Sequence, residues 1–383
     1  AILSTKLNIT TPGFKDQPMV YAVSSNGFKI KARPARNVNI RCGIYYYNSL
    51  RPTAENVNAG LGNSGAIVGE TNGPVISVLP AGKTNSGDHH EFNYTGGFLV
   101  AATKYSLYCA TADPIPIISA VVNVTTAGFD EHPAVNVSST TSITITADPA
   151  RNIEIRCAIF EDGAIQPSAT EIISGTGYNS AGLGNENGPV VIVHTAGKTN
   201  DGDAHTFIYT GLASGETYHA YCATADFIPV LSTKAIFTVP GFTSQPNISN
   251  IGATSVDITA DPATDINIRC AIYENNAAQP TATEVNLGTG SSSATVGSSN
   301  GPVVIVLGAG KTNNGDAHTF SYTGLTSGTT YDVYCATADT IPALSTKLTF
   351  TTHGFSSQPS ASNINGNTGS FDITADPATD INI

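Results

Sequence analysis

The chain contains no tryptophan and a single methionine in 383 residues, and only 12% of its residues are charged. Glycine, serine, threonine and asparagine fill the space instead, the profile of a β-rich extracellular protein more than of a cytosolic enzyme. Helical periodicity is missing everywhere except a short stretch from Pro280 to Val285. No apolar run approaches the roughly 20 residues that a bilayer-spanning helix needs. Basic residues are scarce, with 17 Lys and Arg against 29 Asp and Glu for a formal charge of −12. That balance repels phosphate backbones and anionic lipid, which argues against nucleic-acid and membrane-surface binding.

Catalytic signatures are also missing. Lys198-Thr199 follows Ala196-Gly197 but lacks the first glycine of a phosphate loop, and no helix pattern follows it, so a polar hairpin turn is expected there. His205 and His318 both recur after Gly-Asp-Ala, yet no serine or cysteine nucleophile recurs with an acidic partner. The chain is therefore expected not to be an enzyme, and to need no cofactor.

What the chain does have is itself, repeated. Gly13-Phe14, Gly128-Phe129, Gly241-Phe242 and Gly354-Phe355 open units spaced 115, 113 and 113 residues apart. Asn187-Gly188-Pro189-Val190-Val191-Ile192-Val193 returns as Asn300-Gly301-Pro302-Val303-Val304-Ile305-Val306. A period that large is a whole domain, and each unit can hold its own core. The expected division is 1–12 as the last strand of a preceding repeat, repeats at 13–126, 127–240 and 241–353, and 354–383 as the first strands of another. The segment Ala1 to Thr11 aligns with the close of a unit, and Asp380-Ile381-Asn382-Ile383 with Asp265-Ile266-Asn267-Ile268 in the middle of one. Either the array continues in a longer chain or neighbouring copies complete the end units, and both alternatives make a filament.

Six cysteines fall one pair to a repeat: Cys42 and Cys109, Cys157 and Cys222, Cys270 and Cys335, at separations of 67, 65 and 65 residues. An even count at fixed spacing predicts an intradomain disulfide in each and an oxidising compartment. The competing readings are buried free thiols, or zinc, which two cysteines without a paired histidine spacing cannot hold with four ligands.

Alternation of apolar and polar residues in Ser255 to Thr259, Ile266 to Ile272 and Thr330 to Cys335 predicts half-buried strands, with Gly and Asn/Asp clusters as turns. About seven short strands per unit describe a sandwich of the immunoglobulin type. The segment Tyr322-Thr323-Gly324-Leu325-Thr326-Ser327-Gly328-Thr329-Thr330-Tyr331-Asp332-Val333-Tyr334 resembles the strand-F corner of fibronectin type III domains. Gly211-Leu212 to Tyr218 repeats it, and Gly96-Gly97-Phe98 leading to Tyr105 does so weakly. The Tyr-Cys-Ala-x-x-Asp ending and the Gln166 to Glu171 and Gln279 to Glu284 stretches are similar to cysteine-bearing type III-like repeats of large secreted and surface proteins of algae and other protists. The resemblance implies an all-β tandem array of sandwiches, with Cys270 on strand C and Cys335 on strand F. The tryptophan common in type III domains is absent, and a bridge within one sheet differs from the inter-sheet bridge of immunoglobulins. The strand Ala235 to Val239 reaches Pro240-Gly241-Phe242 at once, and Phe242 is expected at the interface between domains.

Five acceptor sequons begin at Asn8, Asn93, Asn123, Asn136 and Asn247, and glycans are expected on at least one. Asp261 and Asp339 are weak calcium candidates, as hard oxygen ligands in loops at a domain junction. These readings together predict an extracellular or cell-surface structural protein, a rod or filament of tandem sandwiches whose partners are copies of itself or adjoining repeats. The alternative is an adhesin that binds glycan or protein through its loops, for which the only aromatic strip is Tyr45-Tyr46-Tyr47.

Overall fold

The structure, a computed structural model, describes residues 11–84, 88–95, 98–191, 203–304, 307–308, 316–366 and 368–378. Asn8, Lys198 and Thr199 lie outside the described residues. The chain folds as successive sets of short antiparallel strands, each set interrupted by one six-residue helix.

The first set runs β1 (Phe14–Ser24), β2 (Gly27–Pro34), β3 (Val38–Tyr46), α1 (Ala54–Ala59), β4 (Pro74–Thr84), β5 (His90–Thr95), β6 (Lys104–Thr111) and β7 (Val122–Thr125). Its sheets have the orders β1-β2-β5 and β4-β3-β6-β7. In immunoglobulin-type lettering these are A-B-E and C′-C-F-G, the arrangement expected from the repeat pattern. The second set runs β8 (Phe129–Val137), β9 (Ser142–Pro149), β10 (Ile155–Glu161), α2 (Ala169–Ser174), β11 (His205–Thr210), β12 (Thr217–Thr224) and β13 (Ala235–Thr238). Its orders are β11-β9-β8 and β10-β12-β13.

The third set comprises β14 (Phe242–Ser249), β15 (Ser255–Pro262), β16 (Ile268–Glu274), α3 (Ala282–Leu287), β17 (Leu307–Gly308), β18 (His318–Thr323), β19 (Thr330–Thr337) and β20 (Leu348–Thr351). It repeats the pattern as β14-β15-β18 and β17-β16-β19-β20. A final hairpin pairs β21 (Phe355–Asn365) with β22 (Ser370–Pro377).

Two compact units emerge from the packing. One gathers the described residues of Ala1–Val135, Ile145–Phe207 and His219–Ala235; the other, those of Asn136–Thr144, Ile208–Tyr218 and Ile236–Ile383. The division runs through the second set of strands.

Strand parity explains the core of the third set. Ile268, Cys270 and Ile272 alternate inward on β16, and Tyr331, Val333 and Cys335 do so on β19, all at most 2% exposed. They meet Val256 and Ile258 of β15 and Phe320 and Tyr322 of β18. The first set is built alike, with Ile40, Cys42 and Ile44 opposite Phe28 and Ile30. The Phe242 side chain packs inside this core of its own set, and Phe14 packs against the first core, so these rings fill their own sandwiches, while the Phe242 backbone borders Gly215 of the preceding repeat. The inward position of Phe242 follows from strand A, where it begins an apolar face that continues through Ile248.

The strand-F corner holds in all three sets. Tyr105, Tyr218 and Tyr331 hydroxyls accept from the backbone N–H of Val100, Ala213 and Thr326 at 2.8, 3.0 and 2.9 Å. Leu212 and Leu325 fill the site beneath. In the first set Leu99 takes this place, 4% exposed, while Phe98 is 69% exposed. Counting back from the tyrosine shows why: Leu99 stands six residues before Tyr105, as Leu325 stands six before Tyr331.

Candidate functional site

Each sandwich carries a feature on the outer face of its C–F sheet that the strand pattern did not announce. The connection after strand C folds into the short helix and a following 3-10 turn, and this cap covers the sheet. Six residues make under two helical turns, too few for a periodic apolar signal, so the helix depends on its ends. Ser168 and Thr281 close capping boxes with Glu171 and Glu284, and Gly175 and Gly288 end the helices at φ 74°. Only the third of these helices overlaps the stretch from Pro280 to Val285 that showed a helical pattern.

A second small core lies under the cap. In the first set Tyr45, Ala54, Val57, Tyr108 and Ala110 are buried together; in the third, Ala271, Tyr273, Val285, Tyr334 and Ala336. Edge-to-face ring pairs anchor it, Tyr45 with Tyr108 at 5.8 Å, Phe160 with Tyr221 at 6.0 Å and Tyr273 with Tyr334 at 5.8 Å. Burial pushes the phenols of Tyr45 and Tyr273 well above their ordinary value, with Tyr108 adding to the shift at Tyr45 and Glu284, then Tyr334, at Tyr273. Arg41, Arg156 and Arg269, outward residues of strand C, donate to the helix C-terminal carbonyls of Asn58, Ile173 and Asn286. A cation at that end complements the helix dipole.

The cap ends in a tight loop that leaves a cleft against the turn after strand C. Asn72, Asn187 and Asn300 hold positive φ, and their Oδ1 atoms accept from Leu50, Ile165 and Ala278 N–H at 2.8, 2.8 and 2.9 Å. Glycine is required beside them: a Cβ on Gly177 would sit 1.8 Å from the Asn187 carbonyl oxygen. The cleft measures about 370 Å³ in the first set, between Tyr46 to Ser49 and Gly69 to Asn72. In the second it measures about 320 Å³, and Glu161, Asp162 and Glu186 line it.

The cysteines pair as expected, Cys42 with Cys109, Cys157 with Cys222 and Cys270 with Cys335. Cys42 faces Cys109 directly across β3 and β6, and Cys270 faces Cys335 across β16 and β19, so the bridge joins neighbouring strands of one sheet. Cys109 turns its own backbone the other way, its N–H donating to Ser119 Oγ at 3.0 Å and its carbonyl accepting Ser119 N–H at 2.8 Å. Cys335 treats Ser345 likewise, at 2.9 Å for each bond. The bridged residues are therefore a non-hydrogen-bonded pair of the ladder, the position where opposed side chains come closest.

Of the sequon asparagines, Asn93 on β5, Asn123 on β7, Asn136 on β8 and Asn247 on β14 are all exposed. Asn123 Oδ1 accepts from Ser106 Oγ at 3.1 Å, and Asn247 Oδ1 from Ile248 N–H at 2.9 Å. His205 and His318 begin strand E, half-buried, with their rings 5.2 Å from Phe207 and Phe320.

The calcium candidates have separate surroundings. Asp261 pairs across the ladder with Ser244, and burial and then the neighbouring Asp316 raise its carboxyl above the ordinary value. Burial also raises Asp339, against the lowering effect of hydrogen bonds with Thr337 and Thr264. No group of three or more His, Cys, Asp or Glu gathers among the described residues. The counterparts of Asp339 are Asp113 and Asp226, which Arg36 and Arg151 reach at 2.7 and 3.2 Å. Thr264 stands where those arginines stand, a difference visible in the aligned segments Pro34-Ala35-Arg36, Pro149-Ala150-Arg151 and Pro262-Ala263-Thr264.

The sequence matches no family profile. No curated protein is similar to it. Among solved structures, the chicken CNTN1 FN1-FN3 domains align at a TM-score of 0.25 and 9% identity, over 90% of this chain and 99% of that one. That likeness is too weak to carry over arrangement or function, and the assignment of sandwiches rests on the strand orders and cores themselves.

Proposed function

We propose that the chain is an extracellular or cell-surface structural protein whose tandem sandwiches form a stiff rod, glycosylated at one or more of Asn8, Asn93, Asn123, Asn136 and Asn247. The carrying observation is the way one repeat hands over to the next. Ala127 N–H donates to Ser24 O at 3.0 Å and Ala102 N–H to Ala127 O at 3.3 Å, so the first residue of the second repeat is tied to two loops of the first. At the next junction Ser214 Oγ donates to Pro240 O at 2.6 Å, and a Cβ on Gly215 would lie 2.4 Å from Phe242 O. A Cβ on Gly328 would likewise lie 2.4 Å from Phe355 O. Backbone against backbone, without a Gly/Ser tether, transmits orientation where a flexible linker would lose it. The disulfides in every repeat support an oxidising compartment.

Partners in this reading are copies of the chain or adjoining repeats.

Small-angle scattering from the 383-residue chain tests the rod. A compact globule of that length has a radius of gyration of about 21 Å. Sandwiches about 35 Å long set end to end give about 30 Å or more. A value near the compact figure would overturn the proposal.

A further inference from the structure

We infer that the cleft of the first repeat binds a neutral pyranose oligosaccharide, with Tyr46 and Tyr47 as its platform. The other repeats serve as the internal control. The three residues at the end of strand C read Tyr45-Tyr46-Tyr47 in the first repeat, Phe160-Glu161-Asp162 in the second and Tyr273-Glu274-Asn275 in the third. The first of each trio is buried under the cap and must be aromatic for the ring pair beneath it. The next two face outward and are acidic or amide in the second and third repeats, so the fold itself asks for no aromatic there. In the first repeat they are two tyrosines, 52% and 41% exposed.

Their surroundings hold them ready for a ligand. Tyr46 stacks on Tyr105 at 5.9 Å with 30° between planes, and Lys104 Nζ stands 4.5 Å from the Tyr47 ring centroid. Each ring is thus held in place by a neighbour, which lowers the ordering cost of binding. The opposite wall of the cleft is polar, with Glu70, Thr71 and Asn72. Glu70 Oε2 accepts Ile67 N–H at 3.0 Å and Asn72 Oδ1 accepts Leu50 N–H at 2.8 Å, so both side chains are fixed rather than swinging.

Flat rings on one side and fixed amide and carboxylate groups on the other match a sugar. The C–H face of a pyranose lies on the electron-rich face of an aromatic ring, and its hydroxyls take hydrogen bonds at the edge. At about 370 Å³, the cleft has room for one or two rings of a chain that continues into solvent. An anionic saccharide fits worse, because Glu70 faces it and the chain is net negative. The second repeat, with Glu161, Asp162 and Glu186 in the same place, should not bind. The saccharide could be free or a glycan on another copy, and both share this chemistry.

The test uses the full chain freed of its own glycans, titrated with cellotetraose, mannotetraose, maltotetraose and chitotetraose by ligand-observed NMR and calorimetry. Saturable binding of at least one, at a Kd of about 1 mM or tighter, is expected. The paired substitution Tyr46→Glu with Tyr47→Asp should weaken it at least about tenfold. That variant carries the residues the second repeat already has, and unchanged melting would confirm its fold. If native glycosylated copies associate and glycosidase treatment or the paired variant abolishes it, the source is a neighbour's glycan. Binding of none of the four, or equal binding by the variant, would overturn the inference. So would self-association of glycan-free copies that the variant removes, which would make the tyrosines a protein contact. Scattering from the variant is expected to match that of the unaltered chain, which separates this test from that of the rod.

Discussion

Replacing Cys270 and Cys335 together by alanine should destabilise the third repeat by about 5 kcal/mol. In the chain-entropy model, opening a loop of 65 residues costs about 4 kcal/mol. Both sulfurs are fully buried, and deleting them leaves a small cavity worth about 1 kcal/mol more. The ladder itself should survive, because Cys335 makes its backbone bonds to Ser345 and not to Cys270. Tyr322 hydroxyl still finds the carbonyl of residue 270. The loss should therefore be that of an untied chain rather than of a broken sheet. For a domain of about 113 residues, an unfolding entropy of about 0.24 kcal/mol/K converts 5 kcal/mol into a Tm lowered by about 20 °C. Scanning calorimetry of the whole chain is the assay, with the two unaltered repeats as internal standards. A shift below about 5 °C, or loss of all three transitions together, would refute the reasoning.

The capping boxes predict an acid-sensitive component. Backbone N–H donors, first Thr281, hold the Glu284 carboxyl below its ordinary value, so this stability is present above that value and lost as pH falls through the lowered one. Glu284→Gln should remove that pH dependence, and Thr281→Ala should cost about 1 kcal/mol, both read by denaturant unfolding at several pH values. Asp339 behaves oppositely: burial raises its carboxyl, so stability falls as pH rises from the ordinary value through the raised one. Thr264→Arg, which restores the residue of the first two repeats, should flatten that fall and add about 0.5–1 kcal/mol; an unchanged pH profile would count against the assignment. Burial also raises the phenols of Tyr45, Tyr209 and Tyr273, so stability should decline as pH climbs above 10, and their phenolate absorbance should appear only as the chain unfolds. Intact-mass spectrometry of native material, before and after glycosidase, should show loss of hexose-containing mass; clean unmodified peptides at every sequon would remove glycosylation from the proposal.

The strands were legible because alternation with period 2 is a dense signal: five residues such as Ser255 to Thr259 already state which face is inward. The same parity puts Cys270 on the inward face with Ile268 and Ile272, and Cys335 on the inward face with Tyr331 and Val333. The cap was less legible. Its helix is too short to show a period, and its one clear mark is the Ser168-x-x-Glu171 and Thr281-x-x-Glu284 spacing, which only a search for capping pairs would single out. Phe98 misled because it follows the glycines directly, whereas the corner is set by distance from Tyr105, and that distance selects Leu99. The place of Phe242 at a repeat border suggests an interface, but its ring is buried among Val256, Ile258 and Phe320, so border and core coincide at the start of strand A.

Two layers of information are superposed in such an array, and the repeats separate them. Positions that keep their chemistry in every copy do work for the sandwich: the cysteine pair, the serine that receives the backbone of Cys109, Cys222 and Cys335, and the corner tyrosine. Positions that change while the backbone stays the same cannot be doing that work. Arg36 and Arg151 against Thr264 change the balance of charge beside a partly buried aspartate, which alters one repeat's response to pH. Tyr46 and Tyr47 against Glu161 and Asp162 change what a cleft of nearly constant size can hold. An array can therefore keep uniform mechanics and still carry distinct surfaces along its length, because the cap projects from the outer sheet face and its loop is fixed by an asparagine clamp that does not depend on the residues facing the cleft.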